Sequence, residues 1–343
     1  MRLFDTSLGD LFADRRRLTI AVVAVLWLVT VPFTTTASVT ETVFRGLVFV
    51  MLGVSWNLLA GYAGQISLGH AAFFGIGAFV SAWLTTPARA GLPESIQLPV
   101  FLALVVGGLA AALLALVTGP IVFRLSGHYF AIGTLALATI IQLLLLNARQ
   151  FSGGSAGYII RNDVSEDVLF LVALLVTLLM LVATYRIVNS PPGLGMRAIH
   201  DDENAARSLG VYPLKYKMYA FVVSSFMAGL AGALFAQYTQ LINPETTLGV
   251  VWMINTLVVV ILGGMGTMAG PILGAALFLG LNEGLRVVAS EFATTIEGTL
   301  IILFMIFAPS GLYGLLSARV FGEGEEDEAE ATGLDRPASE GSK

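Results

Sequence analysis

Long apolar runs alternate with short polar or glycine-rich interruptions along almost the whole chain. The runs cover residues 18–33, 42–60, 70–85, 98–123, 129–148, 168–188, 217–240, 248–262, 269–288 and 294–316. A helix rises about 1.5 Å per residue, so about 20 residues cross the ~30 Å hydrocarbon layer of a bilayer. Most runs reach that length and a few fall short of it. The pattern predicts an all-α polytopic membrane protein with about ten transmembrane helices and glycine-broken segments. A signal peptide competes for the first run, because Arg15, Arg16 and Arg17 precede a short apolar stretch. Residues 34–40 lack a clear Ala-x-Ala cleavage site and further spans follow at once, which favours an uncleaved helix.

Charge placement adds an orientation. With the N-terminus inside, thirteen of the 18 Lys and Arg residues fall on the inner side. Only Arg45, Arg89, Arg149, Arg161 and Arg286 fall outside. This asymmetry obeys the positive-inside rule and predicts that both termini are cytoplasmic. Composition agrees with the class: 56% of residues are apolar and 12% charged, against about 25% charged in a soluble domain. The absence of cysteine excludes disulfides. The net charge of −5 comes from residues 322–343, which hold eight acids and two bases. The expected layout is a cytoplasmic tail over residues 1–17, a transmembrane domain over 18–316 and an acidic, disordered cytoplasmic tail over 317–343.

The longest polar interruption runs from Arg186 to Lys217, giving a cytoplasmic loop over about residues 189–216. Pro191, Pro192, Gly193 and Gly195 are expected to end the preceding helix. Asp201 or Asp202 can cap a new helix with Glu203 in its first turn, where the dipole favours negative charge. Gly210 suits the left-handed residue after that helix, and Pro213 follows where it cannot continue. Two short helices are predicted, near 194–200 and 203–209, the second offering Ala205, Ala206 and Leu209 to a partner. On these residues alone, a plain solvated connector accounts for the loop as well.

Two glycine-broken stretches stand out among the spans. In the first, Asn57–Phe79, glycines 61, 64 and 69 interrupt the helix and His70 opens a new one. Non-helical backbone survives at membrane depth only when protein or a watery cavity surrounds it. A helix starting at His70 would aim free N–H groups into such a cavity, a favourable place for a carboxylate. Gln65 and Ser67 would add hydrogen-bonding groups along that route. Close helix packing through small residues, as in Gly75-x-Gly77, explains the stretch equally well. A second break at Gly263, Gly264 and Gly266 leads to Gly270-Pro271. Paired breaks point to a transport pathway, although their helix positions do not correspond cleanly enough to establish an internal repeat.

Several chemistries are excluded or disfavoured. His70, His128 and His200 form no ligand set, so no metal site is expected. None of Lys215, Lys217 and Lys343 stands in a Gly-Lys-Ser/Thr sequence, so this chain has no P-loop for ATP and is not an enzyme by that route. An ion-coupled secondary transporter usually carries acids deep in the membrane, whereas Glu41, Glu283, Glu291 and Glu297 fall near span ends. No nucleic-acid partner is expected.

The string Glu203-x-Ala205-Ala206-x-x-x-Gly210 resembles the coupling loop by which ABC-importer permeases dock onto their ATPases. The wider stretch 197–233, the first broken stretch with its Gln65, the Gly-Gly-x-Gly and Gly-Pro of the second break, and residues 127–136 and 152–157 are similar to LivM-type permeases of branched-chain amino acid importers. The resemblance covers about residues 43–316. Ala156 stands where that family often has Asp, which puts any role of the acid in doubt here. The resemblance implies an ABC importer permease fold and alternating access in the cell membrane of a prokaryote. Its implied partners are two ABC ATPase subunits holding ATP and Mg, a second homologous permease and an extracytoplasmic substrate-binding protein. No cofactor is implied for this chain itself. Glu203, Ala205, Ala206, Leu209 and Gly210 would meet the ATPase. Gly61, Gly64, Gln65, Ser67, Gly69, His70, Gly263, Gly264 and Gly266 would lie along the pathway. A permease for urea, short amides or another small polar solute is the neighbouring reading.

Overall fold

The computed structural model describes residues 15–288, together with residues 295, 296, 298, 299, 302 and 311–314. Nine long helices account for most of them. They are α1 (Arg15–Thr34), α2 (Ala37–Asn57), α3 (His70–Thr85), α4 (Val100–Val122), α5 (His128–Asn147), α6 (Glu166–Val188), and, after a short pair, α9 (Pro213–Thr239), α10 (Val250–Gly263) and α11 (Gly270–Val288). The short pair is α7 (Pro191–Asp201) and α8 (Glu203–Ser208). Among the described residues, six stretches are long and apolar enough to cross a membrane, while the apolar parts of α1, α3 and α11 are shorter. The expected tenth span over 294–316 lies outside the described residues apart from scattered positions, as do the tail 317–343 and residues 1–14.

Small residues set the centre. α3, α4 and α9 touch through glycine, which lets helix backbones approach without a side chain between them. A carbon added at Gly77 would stand 2.5 Å from Gly229 Cα, and one at Gly107 would stand 2.7 Å from the Gly77 oxygen. Phe73, Phe130 and Phe221 form a fully buried aromatic cluster among α3, α5 and α9. α2 is also almost wholly buried, held by α9, α10, α11 and α6. α4, α5 and α6 instead expose leucines, isoleucines and valines outward, as spans facing lipid do.

The end of the bundle opposite α7 and α8 is closed by connecting loops. Tyr158–Ile159 pairs antiparallel with Leu241–Ile242, a two-stranded sheet beside the helices. Buried Gln237 donates from Nε2 to Thr85 Oγ1 at 3.0 Å and to Ser81 Oγ at 3.3 Å. Asn162 Nδ2 donates in turn to the Gln237 backbone and side-chain oxygens. The buried Gln237 amide is therefore satisfied within the protein, as burial requires.

Candidate functional site

The helix pair corrects one detail of the sequence reading. Pro191 and Pro192 open α7 rather than closing α6, which ends at Val188. Proline suits the first turn because the N–H it lacks would have no partner there. Gly193 and Gly195 lie inside α7, where they allow close approach. A carbon added at Gly195 would stand 2.7 Å from Tyr216 Cε1 on α9.

α8 is short but fixed at both ends. Asp202 Oδ1 accepts from Asn204 N at 2.8 Å and from Ala205 N at 3.0 Å, which identifies the cap between the two candidates. At the other end Gly210 has φ 85°. Gly210 N donates to Arg207 O and Val211 N donates to Ala206 O, the paired bonds of a Schellman turn. Glu203 is tied inward as well: its Oε2 accepts from Lys217 Nζ of α9 at 2.6 Å, and its Oε1 lies 3.4 Å from Arg207. Leu209 is 85% exposed and Ala205 is exposed, whereas Ala206 is buried at 2%. Ala206 therefore packs against the body of the protein, and the outward face is Ala205 and Leu209.

The first break starts as a π turn, Leu58–Tyr62, that continues α2. Gly64 follows with φ 68°. A carbon added there would stand 3.2 Å from His200 Cα, so the break lies directly against α7. Trp56 Nε1 donates to Ser67 O at 2.8 Å, and Leu68 N donates to Thr134 Oγ1 of α5 at 2.9 Å. Ser67 is fully buried and its Oγ accepts from Gly69 N. His70 is 1% exposed and its ring stands edge-on to Phe73. Gln65 is half-buried with its amide on Ala63 O, while Gly64 and Ile66 reach the surface.

The second break turns between α10 and α11. Gly264 and Gly266 have φ 114° and 79°, conformations that glycine adopts without a Cβ penalty. A carbon at Gly263 would stand 3.0 Å from Gly270 Cα, so the two helices leave the turn in backbone contact. Thr267 Oγ1 accepts from Gly270 N and donates to Gly264 O, closing the turn. Among the described residues no group of His, Cys, Asp and Glu could hold a metal.

Asn57, at the end of α2, joins the two breaks. Its Nδ2 donates to Thr267 O at 2.9 Å, and its Oδ1 accepts from Gly266 N at 2.8 Å. The side chain is 2% exposed. Gly61 lies in the same contact, since a carbon added to it would stand 2.7 Å from Gly266 N. Sequence reasoning singled out the glycines on either side but not this amide. The only available signal was a polar residue embedded in an apolar run.

A helical bundle with two glycine breaks clamped together, and a short helix pair packed against one of them through α7, has the build of a membrane transport permease. The chain belongs to the family described as branched-chain amino acid transport system / permease component, which it matches over residues 38–309. It is 31% identical to the high-affinity branched-chain amino acid transport system permease protein LivM of Escherichia coli K12, over 85% of this chain and 72% of that protein. It is 24% identical to the corresponding permease LivH of Salmonella typhimurium, over 78% of this chain and 92% of that one. A ribose import permease, RbsC of Haemophilus influenzae, is 27% identical over 66% of this chain and 74% of its own length. No solved structure matches.

Proposed function

We propose that this chain is a permease subunit of an ATP-driven ABC importer and carries branched-chain amino acids across the cell membrane by alternating access. The observation that carries the reading is α8: a helix capped at both ends, tied inward through Glu203 and Ala206, yet presenting Leu209 at 85% exposure. A loop that merely connected two spans would not need such rigidity. Exposed apolar side chains on a fixed helix suit docking into a groove. ATP and Mg are bound by two partner ATPases on the cytoplasmic side, whose closure pushes on α8. A second homologous permease completes the pathway, and an extracytoplasmic binding protein delivers the substrate and does most of the selecting. The exposed tips of the breaks, with Gln65, face the moving substrate, while buried Ser67 holds the shape of the turn through Trp56 and Gly69, and His70 packs buried behind it.

Reconstitution tests this. Uptake of leucine, isoleucine or valine into vesicles should require ATP and a loaded binding protein together. Leu209→Asp should cut that uptake at least tenfold, because it puts a charge into the docking groove while leaving the fold untouched. Uptake driven by an ion gradient without ATP would replace the reading with secondary transport.

A further inference from the structure

The contacts form a continuous chain from α8 to the far helices of the bundle. α8 is continuous with α7 through Asp202, and His200 of α7 lies against Gly64 of the first break. Within that break Trp56 holds Ser67, so the turn moves with the end of α2. Asn57 then bonds both sides of the second break, at Gly266 N and Thr267 O. Thr267 in turn fixes the start of α11 through Gly270 N. The two breaks have other neighbours, but the amide is a direct polar link between them and meets residues 209 and 210 positions away. A side-chain amide can donate and accept at once, so it resists both sliding and separation of the two turns. A leucine of similar size could fill the space without fixing the register.

We propose that Asn57 is a positioning residue that makes the two glycine breaks move as one unit, so that displacement of the α7–α8 pair reaches α10 and α11. This rests on the importer reading above, and it assigns the mechanical link within that importer.

The test uses the complete reconstituted complex and exploits the absence of native cysteine. Met265, 47% exposed at the second break, and Asn204, exposed on α8, are changed to cysteine in separate complexes. Labelling rates are compared between the nucleotide-free and vanadate-trapped states. With Asn57 intact, both positions should change rate at least threefold on trapping. With Asn57→Leu, the Asn204→Cys response should persist and the Met265→Cys response should vanish. Uptake should fall at least tenfold while basal ATP hydrolysis continues. Asn57→Asp, which still accepts from Gly266 N when ionised but cannot donate to Thr267 O, should give an intermediate loss. A normal Met265→Cys response and normal uptake in Asn57→Leu would overturn the proposal. So would failure of both Asn57 variants to assemble, which would make the amide a folding device. If the complex with Asn57 intact shows no response to nucleotide at either position, the importer reading itself fails, a result distinct from either of these.

Discussion

Gly232 and Gly280 both lie inside long helices, but their surroundings differ completely. A carbon on Gly232 would stand 2.6 Å from the Phe74 carbonyl carbon, whereas no atom of the described residues lies within 4 Å of the same position on Gly280. Gly232→Ala should force α3 and α9 apart and cost about 1–3 kcal/mol, as overpacking does. Gly280→Ala should be neutral or stabilising by up to about 1 kcal/mol, because alanine restricts the unfolded chain. Thermal unfolding of the purified complex reads both, and equal shifts would remove the packing explanation. Tyr158, outside the spans, donates to Thr86 O at 2.5 Å. Burial raises its phenol above the ordinary value, with Arg89 partly opposing. The unfolded chain therefore ionises first, so the stability this group contributes is full below about pH 10 and fades as pH rises beyond it. Tyr158→Phe should cost about 0.5–1.5 kcal/mol at neutral pH and flatten that alkaline decline in the unfolding temperature. At this scale the sequence shows which residues are odd but not what they touch. The glycines at 61, 64 and 266 were visible, yet a partner 209 residues away leaves no local mark.

Among the elements, α8 gives the sharpest comparison. Its start, its cap and its glycine terminus were legible because helix ends obey local rules written in adjacent residues. Its inward face was not, since a six-residue helix has too short a period to show which side meets the body. The Glu203–Lys217 pair escaped for the same reason, spanning 14 positions and two helices. That pair yields a prediction. Glu203→Lys puts a second cation beside Lys217, whose side chain is only 12% exposed, and should loosen α8. Hydrogen exchange at residues 203–209 should quicken and uptake should fall several-fold. Adding Lys217→Glu restores opposite charges and should recover protection of the helix. Continued rapid exchange in the double variant would mean that Glu203 holds α8 through other contacts. A second element, the paired strands at 158–159 and 241–242, was invisible because two residues are too few for an alternating pattern.

For the molecule as a whole, nine of the ten predicted spans correspond to helices within a few residues, because continuous apolar runs of this length have few alternatives. Packing order was not legible: nothing in the runs says that α2 is enclosed while α5 faces outward. Orientation can be measured directly. Ser155 and Asn204 are both exposed and separated by one span, α6. A cysteine at Ser155 should react with an impermeant reagent from outside intact cells, and one at Asn204 only after permeabilisation. The reverse pattern would invert the protein and take α8 away from any cytoplasmic ATPase.

The enclosure of α2 also has a consequence in time. Ribosomes add about 5–20 residues per second, so Gly266 and Thr267 leave the ribosome roughly 10–40 s after Asn57. Throughout that interval the amide has been made and its partners have not. The nascent chain must shelter it, beside the translocation machinery, against early helices or among lipid headgroups, and a chain stalled before Gly266 never completes the clamp. Biogenesis of this bundle is therefore sequential in synthesis but closes backwards, with its second helix locked by its last described hairpin.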